Sequence, residues 1–71
     1  MNPIRGMCWT NLDDFKRYQW PESFVAVPRV GERVQGSVPD RPILRPTLKV
    51  AGVTHCCDEK GRPYISVELH R

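Results

Sequence analysis

Between two runs that read as β-strand, the chain carries GSVPDRPILRPT, residues 36 to 47, with three prolines and a glycine. Proline has no amide hydrogen to give to a ladder, so this segment cannot pair as a central strand. It reads instead as a loop of about a dozen residues, a length at which connections become unusual and are often functional. The loop also lies in the basic part of the molecule. Residues 29 to 49 hold Arg29, Arg33, Arg41, Arg45 and Lys49 against only Glu32 and Asp40, whereas acids and bases balance on either side, so the net charge of +3 arises here.

A chain of 71 residues makes one domain, 1–71, and at that size folding buries only about 60% of the surface exposed by the unfolded chain. Nearly every large apolar residue is then needed for the core. A hydrophobic fraction of 39% with 27% charged residues suits a small globular domain and excludes the highly charged, hydrophobe-poor regime of disorder. No apolar run approaches the roughly 20 residues of a membrane-spanning helix. The start MNPIRGMCW has no apolar stretch of the secretory kind, and Cys8, Cys56 and Cys57 are odd in number. The expectation is a cytoplasmic protein with reduced thiols.

The opening PIRGMCWT suggests an edge strand carrying Ile4, Met7 and Trp9. NLDDFKRYQWP reads as a short helix: Asn11 is an N-cap type, Asp13 and Asp14 suit the first turn, Lys16 and Arg17 follow, and Pro21 ends it. ESFVAVPRVGERVQ predicts an irregular stretch and then a strand with Val30 and Val34 on one face. In LKVAGVTHCC the alternation changes parity at Gly52, from Leu48 and Val50 to Val53, His55 and Cys57, which predicts a β-bulge. DEKGR reads as a hairpin turn with Gly61 available for positive φ. PYISVELHR alternates, with Ile65, Val67 and Leu69 facing inward and Tyr64, Ser66, Glu68 and His70 outward. The pattern predicts a mainly β (α+β) fold. Its form would be a small curled antiparallel sheet or SH3-like barrel with one short N-terminal helix, a flat sheet with the helix across it being the alternative.

At YQWP, VPRVGERV, LKVAGVTH and PYISVEL the chain resembles a loose group of small uncharacterised proteins of bacteria and their phages. They share a Tyr/Trp-Pro step, a Pro-x-Val-Gly-Asp/Glu-x-Val lead-in to a strand, and two closing strands. The resemblance covers most of residues 18 to 69 and implies a small barrel of SH3-like type. It implies no catalytic residue. It points to a small phage or mobile-element protein that modulates a host complex, of the anti-CRISPR-like or transcription-modulating kind.

Catalytic and metal signals are weak. His55 and Cys57 project from one side of a strand with Cys56 opposite, whereas a structural zinc site takes four ligands, commonly from paired motifs absent here. Adding Cys8 and His70 gives a long-range Cys/His set, and metal binding is one alternative reading. A histidine next to a cysteine in a strand does not make a nucleophile–base pair, since neighbours point apart. VGERVQG lacks the glycine spacing and lysine of a phosphate loop. No enzymatic activity and no cofactor are expected.

The remaining reading is recognition. Proline restrains the loop and lowers the entropy lost on docking, and Ile43 and Leu44 form an apolar pair flanked by Arg41 and Arg45. The expected partner is a protein, bound through Arg29, Arg33, Arg41, Ile43, Leu44, Arg45 and Lys49. A homodimer through an exposed strand edge would fit as well. Nucleic acid is the alternative partner, with Trp9, Trp20 or Tyr64 as stacking groups. The competing structural role for Ile43 and Leu44 is a lid folded back on the core.

Overall fold

The computed structural model describes residues 2–41 and 43–71. Five strands, β1 (Ile4–Thr10), β2 (Ser23–Phe24), β3 (Arg33–Gln35), β4 (Thr47–Cys57) and β5 (Pro63–His70), form one sheet in the order β2-β1-β5-β4-β3. The sheet is mixed, not antiparallel as its hairpin-like punctuation predicts: β1 runs parallel to β5, pairing Gly6 with Ile65 through Thr10 with Leu69. The N-terminal strand therefore lies inside the sheet, flanked on its outer side by the two residues of β2 at Ile4 and Arg5. The sheet curls into a half-barrel.

Residue alternation accounts for the core. Ile65, Val67 and Leu69 on the central β5 are at most 2% exposed, and with Val34, Leu48 and Val50 they line the concave face. Leu12, Phe15, Trp20 and Phe24, all from the irregular stretch between β1 and β3, pack over that face together with Ile4, Cys8 and Val53. The predicted bulge is present: the β4–β5 register shifts between Val50 and Gly52. Ala51 is the extra residue, and it restores Val53 and His55 to the side of Leu48 and Val50, opposite Val67 and Ile65. Gly61 closes the β4–β5 hairpin at φ +78°. Asp58 accepts hydrogen bonds from the backbone of Lys60 and Arg62 there, each 2.9 Å.

The predicted helix is reduced to a single 3-10 turn, Asp13–Phe15. Asn11 does not cap it; Leu12 is extended, and its N–H donates 3.1 Å to Thr10 Oγ1. The reason is competition for backbone groups. Trp20 Nε1 takes the Phe15 carbonyl at 3.1 Å, and Gln19 exchanges both of its backbone hydrogen bonds with Ser37 at 2.8 and 2.9 Å. Lys16 and Tyr18 keep only local bonds, to the Asp13 and Phe15 carbonyls, and at Gln19 the tertiary pairing with Ser37 outweighs a local helical preference. Val30, predicted to share a face with Val34, lies outside β3 and is exposed, because the Arg29–Glu32 turn intervenes. No helix among the described residues is long and apolar enough to cross a membrane.

Candidate functional site

Gly36 N–H donates 2.8 Å to the Pro46 carbonyl, so the loop is pinched at its base and Thr47 already belongs to β4. Within it, Arg41 N–H bonds to the Val38 carbonyl (3.1 Å) and Leu44 N–H to the Arg41 carbonyl (2.9 Å), giving successive turns. A lid on the core is not what results. Ile43 is 90% exposed and Leu44 is 44% exposed, and neither joins the buried cluster. Pro42, between Arg41 and Ile43, lies outside the described residues.

The loop leans on the region of the 3-10 turn. Arg41 and Leu44 share a groove of about 410 Å³ with Arg17, Tyr18, Val38, Pro39 and Asp40. Arg17 was not among the residues expected from the sequence. Its place follows from the tertiary capture of Gln19 by Ser37, for which the local pattern holds no signal. Arg45 faces a neighbouring depression of about 520 Å³ with Trp20, Gly36 and Ser37. Arg33 and Lys49 are direct cross-strand partners at the β3–β4 edge, and Arg33 Nη1 is 3.2 Å from Thr47 Oγ1. Arg29 stands apart in the preceding turn, where its N–H bonds to the Glu32 carboxylate. The seven predicted residues thus form no single patch: Arg41, Ile43, Leu44 and Arg45 belong to the loop, Arg33 and Lys49 to the strand edge beyond its base, and Arg29 to a separate turn.

Among the described residues, none of Arg29, Arg33, Arg41, Arg45 and Lys49 makes an ion pair. The ion pairs present are Arg5–Asp58 (2.8 Å) and Lys16–Asp13 (3.2 Å), and His70 Nε2 lies in hydrogen-bond contact with Glu68 Oε2 at 2.6 Å. Like charges placed opposite each other in a ladder are unfavourable. Arg33 beside Lys49 is therefore an arrangement that an external anionic group would relieve.

The Cys/His set is dispersed. Cys8 faces the core with Sγ 3.5 Å from the Pro21 carbonyl, and burial pushes its thiol up to about 11. Cys56 sits beside Tyr64 and pushes the tyrosine hydroxyl upward in pKa, while Cys57 is exposed. His70 is engaged with Glu68 on the convex face. Among the described residues no three His, Cys, Asp or Glu side chains converge to hold a metal ion. The two tryptophans divide: Trp20 packs on the core, whereas Trp9 lies on the opposite face, 39% exposed, with Nε1 3.1 Å from Ser66 Oγ. No family model, curated protein or solved structure matches the chain.

Proposed function

We propose that the protein is a non-catalytic recognition module, a small β scaffold of SH3-like type whose pinched basic loop docks on an acidic surface of a protein partner. The observation that carries this reading is Ile43, 90% exposed at the loop and flanked by Arg41 and Arg45, neither of which has an internal ion partner among the described residues. An apolar anchor ringed by unpaired guanidinium groups is the composition of an interface centre, where aromatic and aliphatic groups supply burial and arginine supplies directed hydrogen bonds. The hydrogen bonds at the loop base and within it lower the ordering cost of binding. A small modulator of a host complex, of the phage or mobile-element kind, is the role that fits both this surface and the sequence resemblance.

Replacing residues 38–45 with an Asn-Gly turn tests the reading. Capture from nuclease-treated bacterial lysate is expected to yield a discrete protein with the wild-type chain and to lose it with the replaced loop; retention of that protein by the loop variant would overturn the proposal. The same unpaired cations favour nucleic acid as the second reading. It predicts recovery that vanishes with nuclease, and affinity that falls steeply with salt, with an Arg41 plus Arg45 substitution flattening the slope.

A further inference from the structure

On the side of β4 away from β5, pairing with β3 ends early. The Arg29–Glu32 turn extends it by two bonds, Gly31 N–H to the Val50 carbonyl and Val50 N–H to the Glu32 carbonyl, both 2.8 Å. From Ala51 to Cys57 no backbone group of the described residues bonds to β4 from that side. The hairpin fixes which groups point outward. Pro63 has no N–H, and Asp58 N–H donates to the Arg62 carbonyl at 3.0 Å, so Cys57–Pro63 is a non-hydrogen-bonded pair, as are His55–Ile65 and Val53–Val67 in alternation. Val53, His55 and Cys57 therefore turn both their N–H and C=O groups to solvent.

Edges of this kind are normally guarded by Lys, Pro or a covering segment. From Val50 to Cys57 this strand contains no Lys, Arg, Asp, Glu or Pro. We infer that β4 pairs antiparallel with β4 of a second copy of the chain, about a two-fold axis at His55. Centred there, Val53 of each copy meets Cys57 of the other and His55 meets its counterpart, so every outward N–H and C=O of the run is used. An axis one residue to either side leaves part of the run unpaired. The side chains brought together include no Lys, Arg, Asp or Glu: Val53 meets Cys57 on the concave face and Thr54 meets Cys56 on the convex face.

Charge placement favours this occupant. With Ala51 bulged out, Lys49 lies five ladder steps from the axis, so at about 3.3 Å per step the two Lys49 positions stand about 33 Å apart. That distance is several times the screening length of about 8 Å at physiological salt. The two basic loops thus point away from each other, and two positively charged chains meet along their neutral end. The inference stands independently of the partner assigned to the loop.

Sedimentation of the full chain tests it. The expected species has twice the 8.2 kDa mass of one chain. His55→Pro removes an outward N–H without touching the β5 ladder, and His55→Asp sets two carboxylates across the axis. Both are expected to sediment as single chains with wild-type circular dichroism, and should the proline variant fail to fold, the aspartate variant decides. Thr54→Cys places a new thiol opposite Cys56 of the second copy in a non-hydrogen-bonded pair, about 4.5 Å between Cα atoms and within disulfide reach. Mild oxidation should convert that variant, and not the wild type, to a covalent dimer. A wild-type chain that stays single at all concentrations, a His55→Asp dimer as strong as the wild type, or a Thr54→Cys variant that does not cross-link would each overturn the inference.

Discussion

A methyl group added at Gly36 would sit 2.8 Å from the Trp20 ring and 3.1 Å from the Gln19 carbonyl, where the loop base meets the packed tryptophan. Gly36→Ala is therefore expected to lower stability by about 1–3 kcal/mol, the usual cost of overpacking, measured by chemical denaturation. Cys8 carries a pH signature. Its thiol ordinarily titrates near 9.0 and is pushed to about 11 by burial. Since the folded state holds its proton more tightly, the contribution is fully present below pH 9 and is lost as pH rises from 9 towards 11. The denaturation midpoint should fall over that window in the wild type and fall less in Cys8→Ala, and Cys8 should alkylate more slowly than the exposed Cys57. At this scale the sequence was informative about β5, where strict alternation assigns Ile65, Val67 and Leu69 to the core. It was not informative about Trp9 and Trp20, because composition cannot say which face of a sheet a tryptophan takes.

In β4 the extra residue Ala51 corrects the phase between its two apolar halves. Deleting Ala51 would leave Val50 and Val53 on the same face with a regular ladder, so that variant should fold with wild-type circular dichroism. Deleting Lys49 instead turns Leu48, 1% exposed, out of the core. Such a loss, about 1.5–3 kcal/mol for one buried aliphatic side chain, is large for a domain of this size and should unfold a substantial fraction of the chain. The hairpin should respond to acid. The Arg5 guanidinium beside Asp58, helped by the Arg62 amide, holds that carboxyl below the usual range, so its stabilising effect is present at neutral pH and lost as pH falls through the lowered pKa. Bulge, hairpin and loop were legible because glycine, proline and parity act locally. The helix falls short of its local pattern because Gln19 pairs with Ser37, a partner that no local window contains, and the Trp20 ring takes the Phe15 carbonyl. The parallel β1–β5 pairing escaped for the same reason, since strand direction between the two ends of a chain leaves no periodic trace.

The whole molecule separates two surfaces along β4. The basic loop lies at the Thr47 end and the uncharged open edge at the Cys57 end. Proline spacing and charge counting together located the loop, which holds Arg41, Ile43, Leu44 and Arg45. Arg17 could not be named from the sequence, since only folding brings it into the groove with Arg41. On the proposed readings, partner capture belongs to one end of the scaffold and self-association to the other. The most direct test of the capture role is a calorimetric titration of the recovered partner with Ile43→Ser, beside Val25→Ser as an exposed control away from the loop. An anchor contributing 2 kcal/mol or more corresponds to a loss of about 30-fold in affinity. That loss for Ile43→Ser, with Val25→Ser within about 2-fold of the wild type, is the predicted result; an Ile43→Ser variant that binds as tightly as the wild type would contradict the account.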